Sequence, residues 1–418
     1  MMMTHLRRFE YALHFFMLVL VSNAFLPLWE RINAGDSVDM VEGSPLMRSI
    51  LLAGYLLALA FLLFQPQQTI FMLARTPWVW ALAGLTLLSV FWSQMPSLTF
   101  RRAIAALLTT LYALTLVRRF SLLEFWKIFG AAIFSMLVFS LATALLVPEW
   151  GVMQDVSSAN SWQGVFVHKN LLGLMSVLGL LVFSCLVLVS GGWQRWLWGL
   201  ASVLSLITLA GSRSVTSWVL TALVLSVLIA LKFLTPVRQK NNFLAFLLVS
   251  AAGVLALWLA AYRYLDILDF LGKDESLTGR LPIWQAALEA GLQRPWLGWG
   301  FGAFWLGWEG PSAEIWSAVF WMPPHVHNGY LELFLQLGFP GLLLGLMVVL
   351  FPGIFLLRSL WEKRLAPQTA FLFGLWIFFL VYNLNESDLL IQNKITWVLL
   401  VYLNLSVWQE EFLPDKQH

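Results

Sequence analysis

The chain has 418 residues, of which 60% are hydrophobic and only 11% charged, with a mean hydropathy of +0.79. A soluble domain carries about 25% charged residues, so this surplus of apolar side chains has lipid rather than water as its solvent. A formal net charge of +3 with no Lys/Arg block excludes nucleic acid as a partner, and the lone Cys185 excludes an intrachain disulfide or a cysteine-built metal cluster.

Two arginines, Arg7 and Arg8, precede the first apolar run, and no small-residue cleavage site follows it. That run is therefore expected to stay as the first span rather than leave as a signal peptide. Apolar runs of spanning length fall at 11–29, 47–64, 78–93, 102–117, 125–147, 171–191, 196–212, 217–234, 242–264, 328–358, 370–385 and 395–409. The expected fold is all-α, a polytopic transmembrane helix bundle of about 12 spans. Gly338-Phe339-Pro340-Gly341 interrupts the tenth run, where a kink is expected.

Between the ninth and tenth runs, residues 265–327 form one long loop. Within it, 280–292 reads as an amphipathic helix with Leu281, Trp284, Ala287, Leu288 and Leu292 on one face, expected to lie on the membrane surface. Pro295 and Gly298, Gly300 and Gly302 end that stretch. The Gly-x-Gly-x-Gly run has no preceding strand and no βαβ context, so it is not a dinucleotide loop.

An even span count puts both termini on one side. Arg7/Arg8, Arg118/Arg119/Lys127, Arg195, Arg238/Lys240 and Arg358/Lys363/Arg364 fall on that side, and acids such as Glu149, Asp266, Glu314, Glu386 and Asp388 on the other. The positive-inside rule then makes the termini cytoplasmic and the long loop outward-facing. Arg101, Arg102, Lys169, Arg213, Arg280, Arg294 and Lys394 break the rule by lying outside.

Those exceptions gather where helices begin. Every even-numbered span starts at the outer face, with unpaired backbone N–H groups and a partial positive charge. Arg101-Arg102 opens span four, His168-Lys169-Asn170 span six, Arg213-Ser214 span eight, His325-Val-His327-Asn328 span ten and Asn393-Lys394 span twelve. Asn170 and Asn328 are expected N-caps. A single basic residue near a helix end ordinarily just snorkels to the interface. Five such sites on the side poor in basic residues point to a phosphate-bearing ligand.

Several stretches resemble the O-antigen ligase and polymerase superfamily. His327-Asn328 followed by Gly338-Phe-Pro-Gly341 is similar to its His-Asn…Gly-x-x-Gly signature. Leu277-Thr278-Gly279-Arg280 with Trp284, and Arg294-Pro-Trp-Leu-Gly-Trp-Gly300, resemble the segment before it. Trp162-Gln-Gly-Val-Phe-Val-His168-Lys169-Asn170-Leu-Leu-Gly173 and Asn383-Leu-Asn-Glu386-Ser387 resemble the ExoQ-type exopolysaccharide-polymerase branch. The resemblance spans about residues 95–400; the first two spans carry no motif.

The resemblance implies one transmembrane glycosyltransferase domain over 1–418 with a periplasmic loop at 265–327, in the bacterial inner membrane. It implies a polyprenyl-pyrophosphate-linked oligosaccharide donor, a glycan or lipid-linked acceptor, and no metal or other cofactor. Other polysaccharide export proteins are candidate partners. Carried over by motif position, Arg213, Arg280 and His327 are the essential residues. Guanidinium groups suit a leaving pyrophosphate because they bind phosphate oxygens bidentately and keep their charge. An imidazole suits the acceptor hydroxyl, being able to take its proton near neutral pH. Lys169 is a further phosphate candidate and Asn170 and Asn328 are substrate-binding candidates, while His168, Arg102 and Glu386 fit the site or the scaffold equally well. A metal is not expected: His325 and His327 have no carboxylate beside them in sequence, and no Asp-x-Asp occurs. Three activities remain open: a polymerase of lipid-linked repeat units, a ligase moving a finished glycan onto lipid A core or protein, and a transporter of anions or lipid-linked sugars. The absence of paired repeats with broken helices and the few mid-span ionisable groups weigh against transport.

Overall fold

The computed structural model describes residues 2–27, 44–64, 66–154, 158, 160–234, 280–319, 322–362 and 366–412. These fold as helices: α1 (Met2–Val21), α2 (Pro45–Ala60), α3 (Pro66–Arg75), α4 (Pro77–Leu88), α5 (Pro96–Arg119), α6 (Leu122–Leu146), α7 (Lys169–Val189), α8 (Gly192–Ser212), α9 (Val215–Leu234), α10 (Arg280–Leu292), α11 (Ser312–Val319), α12 (Gly329–Glu362), α13 (Pro367–Tyr382) and α14 (Ile395–Phe412). No strand occurs among the described residues; one isolated bridge pairs Val152 with Trp162.

The fold is an all-α polytopic membrane bundle. Five helical stretches are long and apolar enough to cross a bilayer: 45–63, 96–119, 122–146, 169–189 and 329–359. A bent pair, 69–75 with 77–91, is a sixth candidate, and α9, α13 and α14 contribute shorter apolar helices. Every expected apolar segment but the ninth overlaps a helix; the ninth, 242–264, lies outside the described residues, as does 265–279 of the loop. α3 was not expected. It meets α4 at 87° because Pro77 follows Thr76, and the residue before a proline is driven out of the helical region.

Local chemistry fixes the helix starts. Proline opens α2, α4, α5 and α13, where its missing N–H is no loss. Ser121 and Glu124 form a reciprocal capping box at α6. α7 is apolar all round and is the most buried of the spanning helices, packed among α6, α8, α9 and α13. α14 packs against α5, α12 and α13 and buries Trp397 and Tyr402 fully.

The kink expected in the tenth run is present. Gly338 adopts φ 65°, ψ −162° inside α12, and a Cβ there would strike the Trp296 backbone. The loop before α12 has a small core of its own, formed by Ile283, Ala287, Ala290, Phe304, Ile315, Val326 and Leu335. α10 packs on α12 through Ile283, Ala287, Ala290 and Gly291, while Leu281, Leu288 and Leu292 stay exposed. The single apolar face expected of 280–292 is thus split: one side is buried in protein and only the leucines face outward. Gly298, Gly300 and Gly302 all have positive φ and let the loop backbone approach its neighbours, which explains the glycine run without a nucleotide.

At one end of the bundle Arg7 holds Glu10 at 3.0 Å and Glu124 at 2.9 Å, and donates to the Arg119 carbonyl at 2.9 Å. Arg7 and Arg119, two of the basic residues expected on one side, share that end.

Candidate active site

The opposite end gathers the N-termini of α7, α9 and α12 with the C-terminus of α13, and the start of α14 joins them through the Lys394–Asp388 pair. His168, not Asn170, caps α7: its Nδ1 accepts from the Asn170 N–H at 3.2 Å. This corrects the expectation for Asn170, whose side chain is left free to bridge. Its Oδ1 accepts from Ser214 Oγ at 3.0 Å and its Nδ2 donates to Glu386 Oε1 at 3.4 Å. Asn328 caps α12 as expected, accepting from the N–H groups of Tyr330 and Leu331 at 3.1 Å each. Its own N–H donates to Ser387 Oγ at 3.0 Å.

Two of the three residues expected to be essential meet around one carboxylate. Glu386, 12% exposed, faces His327 Nδ1 across 3.5 Å with Oε2 and Arg280 across 3.8 Å with Oε1. Arg280 also donates to Asn385 Oδ1, and Asn385 Nδ2 donates to Thr216 Oγ1 at 2.7 Å. Arg213 is not in that contact. Its side chain is exposed, but its turn is tied in through Ser214 to Asn170 and through Thr216 to Asn385.

Both Arg213 (φ 49°) and His327 (φ 58°) adopt the left-handed backbone region. For a long side chain such as arginine this costs of order 1 kcal/mol and persists only where the surroundings enforce it. The His327 N–H donates to His325 Nδ1 at 3.3 Å, and the two rings lie 4.1 Å apart.

The electrostatics follow from burial and from the cations. Burial alone would raise the Glu386 carboxyl, but hydrogen bonding and charge from His327, then Arg280 and His325, hold it below the usual carboxylate range. Burial pulls the Arg280 guanidinium below its ordinary value against the opposing pull of Glu386. Burial, with the charge of His327 added, pushes the His325 imidazole down to about 3.

The remaining expected residues are placed as follows. Lys169 is the first residue of α7 and is partly buried. Arg102 donates to the Gly302 carbonyl and so ties α5 to the loop, a scaffold contact. Arg294 lies over the Trp299 ring at 4.3 Å. Lys394 pairs with Asp388 at 2.8 Å.

The sequence argument against a metal rested on there being no carboxylate beside the histidines. In space there is one: ligand atoms of His325, His327 and Glu386 lie within 4.8 Å of one another. The same carboxylate is shared with Arg280, a poor neighbour for a cation. Sequence reasoning missed Thr216 altogether and gave Asn385, Ser387 and His325, though they lie in stretches it singled out, no part in this network. The signals available were the resemblance carried by Asn383–Ser387 and the density of polar residues in Asn383–Asp388, between two apolar spans.

The arrangement is one carboxylate held among Arg280, His327 and Asn170, with Arg213 on an adjoining turn. It can bind an anion, and it can move a proton at His327. Residues 200–346, which include Arg213, Arg280 and His327, match the O-antigen ligase family. The exopolysaccharide production protein ExoQ of Rhizobium meliloti (strain 1021) is 29% identical over 351 residues, covering 81% of this chain and 79% of that protein. Family match, relative and apolar helical bundle agree: the chain is similar to the O-antigen ligases over 200–346 and to ExoQ over most of its length, which supports a multi-pass membrane enzyme of the ligase/polymerase type.

Proposed function

We propose that this enzyme polymerises polyprenyl-pyrophosphate-linked oligosaccharide repeat units into exopolysaccharide at the outer leaflet, without a metal. One observation carries the reading: Arg280, His327 and Glu386, from three distant segments, meet at the end of the bundle to which the Arg213 turn is also tied. The end bearing Arg7 and Arg119 is then the cytoplasmic one by the positive-inside rule, which turns the site outward.

In this mechanism the acceptor hydroxyl attacks the anomeric carbon of the donor sugar. The bond from that carbon to the pyrophosphate oxygen breaks, and its electron pair leaves with the polyprenyl pyrophosphate. Arg280 and Arg213 stabilise the charge growing on the leaving group; removing one such contact is expected to cost about 3–4 kcal/mol of transition-state stabilisation. His327 takes the hydroxyl proton. Lys169 and the first turn of α7, with His168 and Asn170, add a second anionic contact, and the Asn328 cap holds His327 at the head of α12. Direct displacement inverts the anomeric centre; a trapped covalent sugar–enzyme adduct would overturn that step.

The test is turnover by the purified full chain of the lipid-linked oligosaccharide that accumulates in cells lacking the gene. Long chains are expected from the parent protein with or without EDTA, and none from Arg280→Ala or His327→Ala. Parental turnover in both variants refutes the site, and loss of activity in EDTA refutes metal independence. A ligase is the second reading, favoured by the family matched over 200–346. In cells lacking the gene, finished polymer still on the lipid carrier identifies a ligase, whereas single repeat units identify a polymerase.

A further inference from the structure

We propose that Glu386 is a positioning residue: its carboxylate holds His327 by Nδ1 and thereby reserves Nε2 as the atom that receives the acceptor proton. The inference rests on His327 being the base, as argued above, and adds a named partner and tautomer to it.

The geometry separates this role from an ordinary surface ion pair. Three elements pin the carboxylate. Asn170 of α7 reaches Oε1 at 3.4 Å, Arg280 of α10 stands 3.8 Å from the same oxygen, and His327 before α12 stands 3.5 Å from Oε2. Its neighbours are fixed as well: Asn385 by Thr216 and Arg280, and Ser387 by the Asn328 N–H. The His327 backbone is equally constrained, with φ 58° and its N–H on His325. The ring is left with little freedom beyond its own rotation, and the carboxylate decides which nitrogen carries the proton.

At 3.5 Å the contact is one of charge and does not yet have hydrogen-bond geometry; catalytic contacts commonly tighten only once substrate is bound. Other charged or titratable groups near Glu386 are Arg280, His325, Tyr382 and the Asp388–Lys394 pair. None of their contacts offers Nδ1 of His327 an acceptor oxygen. Once Nδ1–H is engaged by Glu386, the lone pair is on Nε2. As the acceptor oxygen bonds to the anomeric carbon, its proton passes to Nε2, and the resulting imidazolium is balanced by the Glu386 carboxylate until the proton is released to water. Glu386 does not touch the sugar in this account, which distinguishes it from a ligand of donor or acceptor hydroxyls.

The experiment measures kcat and KM of the full-length protein, in lipid nanodiscs, on its extracted lipid-linked oligosaccharide. The proteins compared are Glu386→Gln, Glu386→Asp, His327→Ala and the Glu386→Gln/His327→Ala double variant. Glu386→Gln keeps the shape but can leave the ring in the wrong tautomer. It is expected to lower kcat by about 10²–10⁴ with the donor KM within a few-fold of parental. The double variant is expected to be no slower than His327→Ala alone, because one function is removed once. Glu386→Asp, which keeps the charge on a shorter stem, is expected to recover at least ten-fold over Glu386→Gln. A raised KM with parental kcat would make Glu386 a substrate ligand, and multiplicative losses in the double variant would make it independent of His327; either overturns the proposal. If Glu386→Gln loses donor binding altogether, Glu386→Asp decides, and failure to recover turnover counts against the proposal. If His327→Ala is itself fully active, the underlying function falls rather than this inference alone.

Discussion

Asn385 and Thr216 are joined by a 2.7 Å hydrogen bond across 169 residues of chain, and Asn385 accepts from Arg280 with its other side-chain atom. One small amide therefore couples the turn that carries Arg213 to the guanidinium of Arg280. If both arginines grip one pyrophosphate, their spacing must be held to within about an ångström, since a displacement of that size can cost about 10²-fold in rate.

Asn385→Ala is accordingly expected to lower turnover by about 10- to 100-fold while leaving the thermal midpoint nearly unchanged. Thr216→Val is expected to do the same, and the double variant to be no worse than the poorer single, because both remove the same link. Initial rates on the lipid-linked donor report this. Parental rates in both single variants would show that the link has no catalytic consequence.

Arg213 offers a prediction in which stability and activity part. Its backbone is left-handed at φ 49°, a region that costs arginine of order 1 kcal/mol and glycine almost nothing. Arg213→Gly relieves that strain while losing more chain entropy on folding, so its thermal midpoint is expected to stay level or rise slightly. Turnover is expected to fall by more than 100-fold, because the guanidinium is gone. A variant that is both stable and fully active would remove Arg213 from the site.

The order of the described helices was legible because their apolar runs are long, and the α12 kink because Gly-x-Pro-Gly has a direct backbone meaning. Four of the five expected cationic helix starts come together, whereas Arg101-Arg102 lies inside α5, where Arg102 donates to the Gly302 carbonyl. The pairings were not. His327 and Glu386 meet from opposite flanks of α12 and α13, and no local periodicity links them. The buried side of α10 was hidden for another reason: its outward side mixes Leu281, Leu288 and Leu292 with Gln285 and Glu289, opposite isoleucine, alanine and glycine, so no purely polar face orients it. Lipid weakens the contrast on which pattern reading depends, because an outward leucine is as well solvated as an inward one. The segment before Pro77, with Gln67, Gln68, Thr69 and Arg75 among its apolar residues, was too polar to be read as a spanning helix.

Glu332 is the keystone of the loop that presents His327. It is 5% exposed and accepts from Trp305 Nε1 at 2.9 Å, Gln336 Nε2 at 2.6 Å and the Val326 N–H at 2.9 Å. Glu332→Ala leaves three donors unpaired, each worth about 1–3 kcal/mol when buried. The variant is expected to be destabilised by several kcal/mol and to lose the His327 geometry with it. Glu332→Gln keeps one acceptor oxygen and is expected to fall between the two. Limited proteolysis of the loop together with thermal unfolding would show the order; a Glu332→Ala protein as resistant as the parent would contradict it.

The final prediction concerns acid. His325 is held near 3 by burial, whereas in the unfolded chain a histidine titrates at about 6.5. Between those values the unfolded chain binds a proton that the folded protein refuses, so stability falls as pH drops through the window. The slope is at most about 1.4 kcal/mol per pH unit for one proton. Glu386 acts in the same direction, but only below the ordinary carboxylate range, because its folded value is depressed and its contribution is lost as pH falls through that value. Between pH 7 and pH 5 the acid sensitivity therefore reports on histidine rather than on Glu386. Protonating His325 would also remove the acceptor for the His327 N–H, so the loss should reach the active-site turn early. His325→Asn, whose Oδ1 can stand where Nδ1 stands, is expected to unfold with a flatter dependence on pH over that interval and to retain more of its turnover at pH 5. Unfolding midpoints of parent and variant at pH 7, 6 and 5 provide the comparison, and parallel lines would mean that another group governs the acid response.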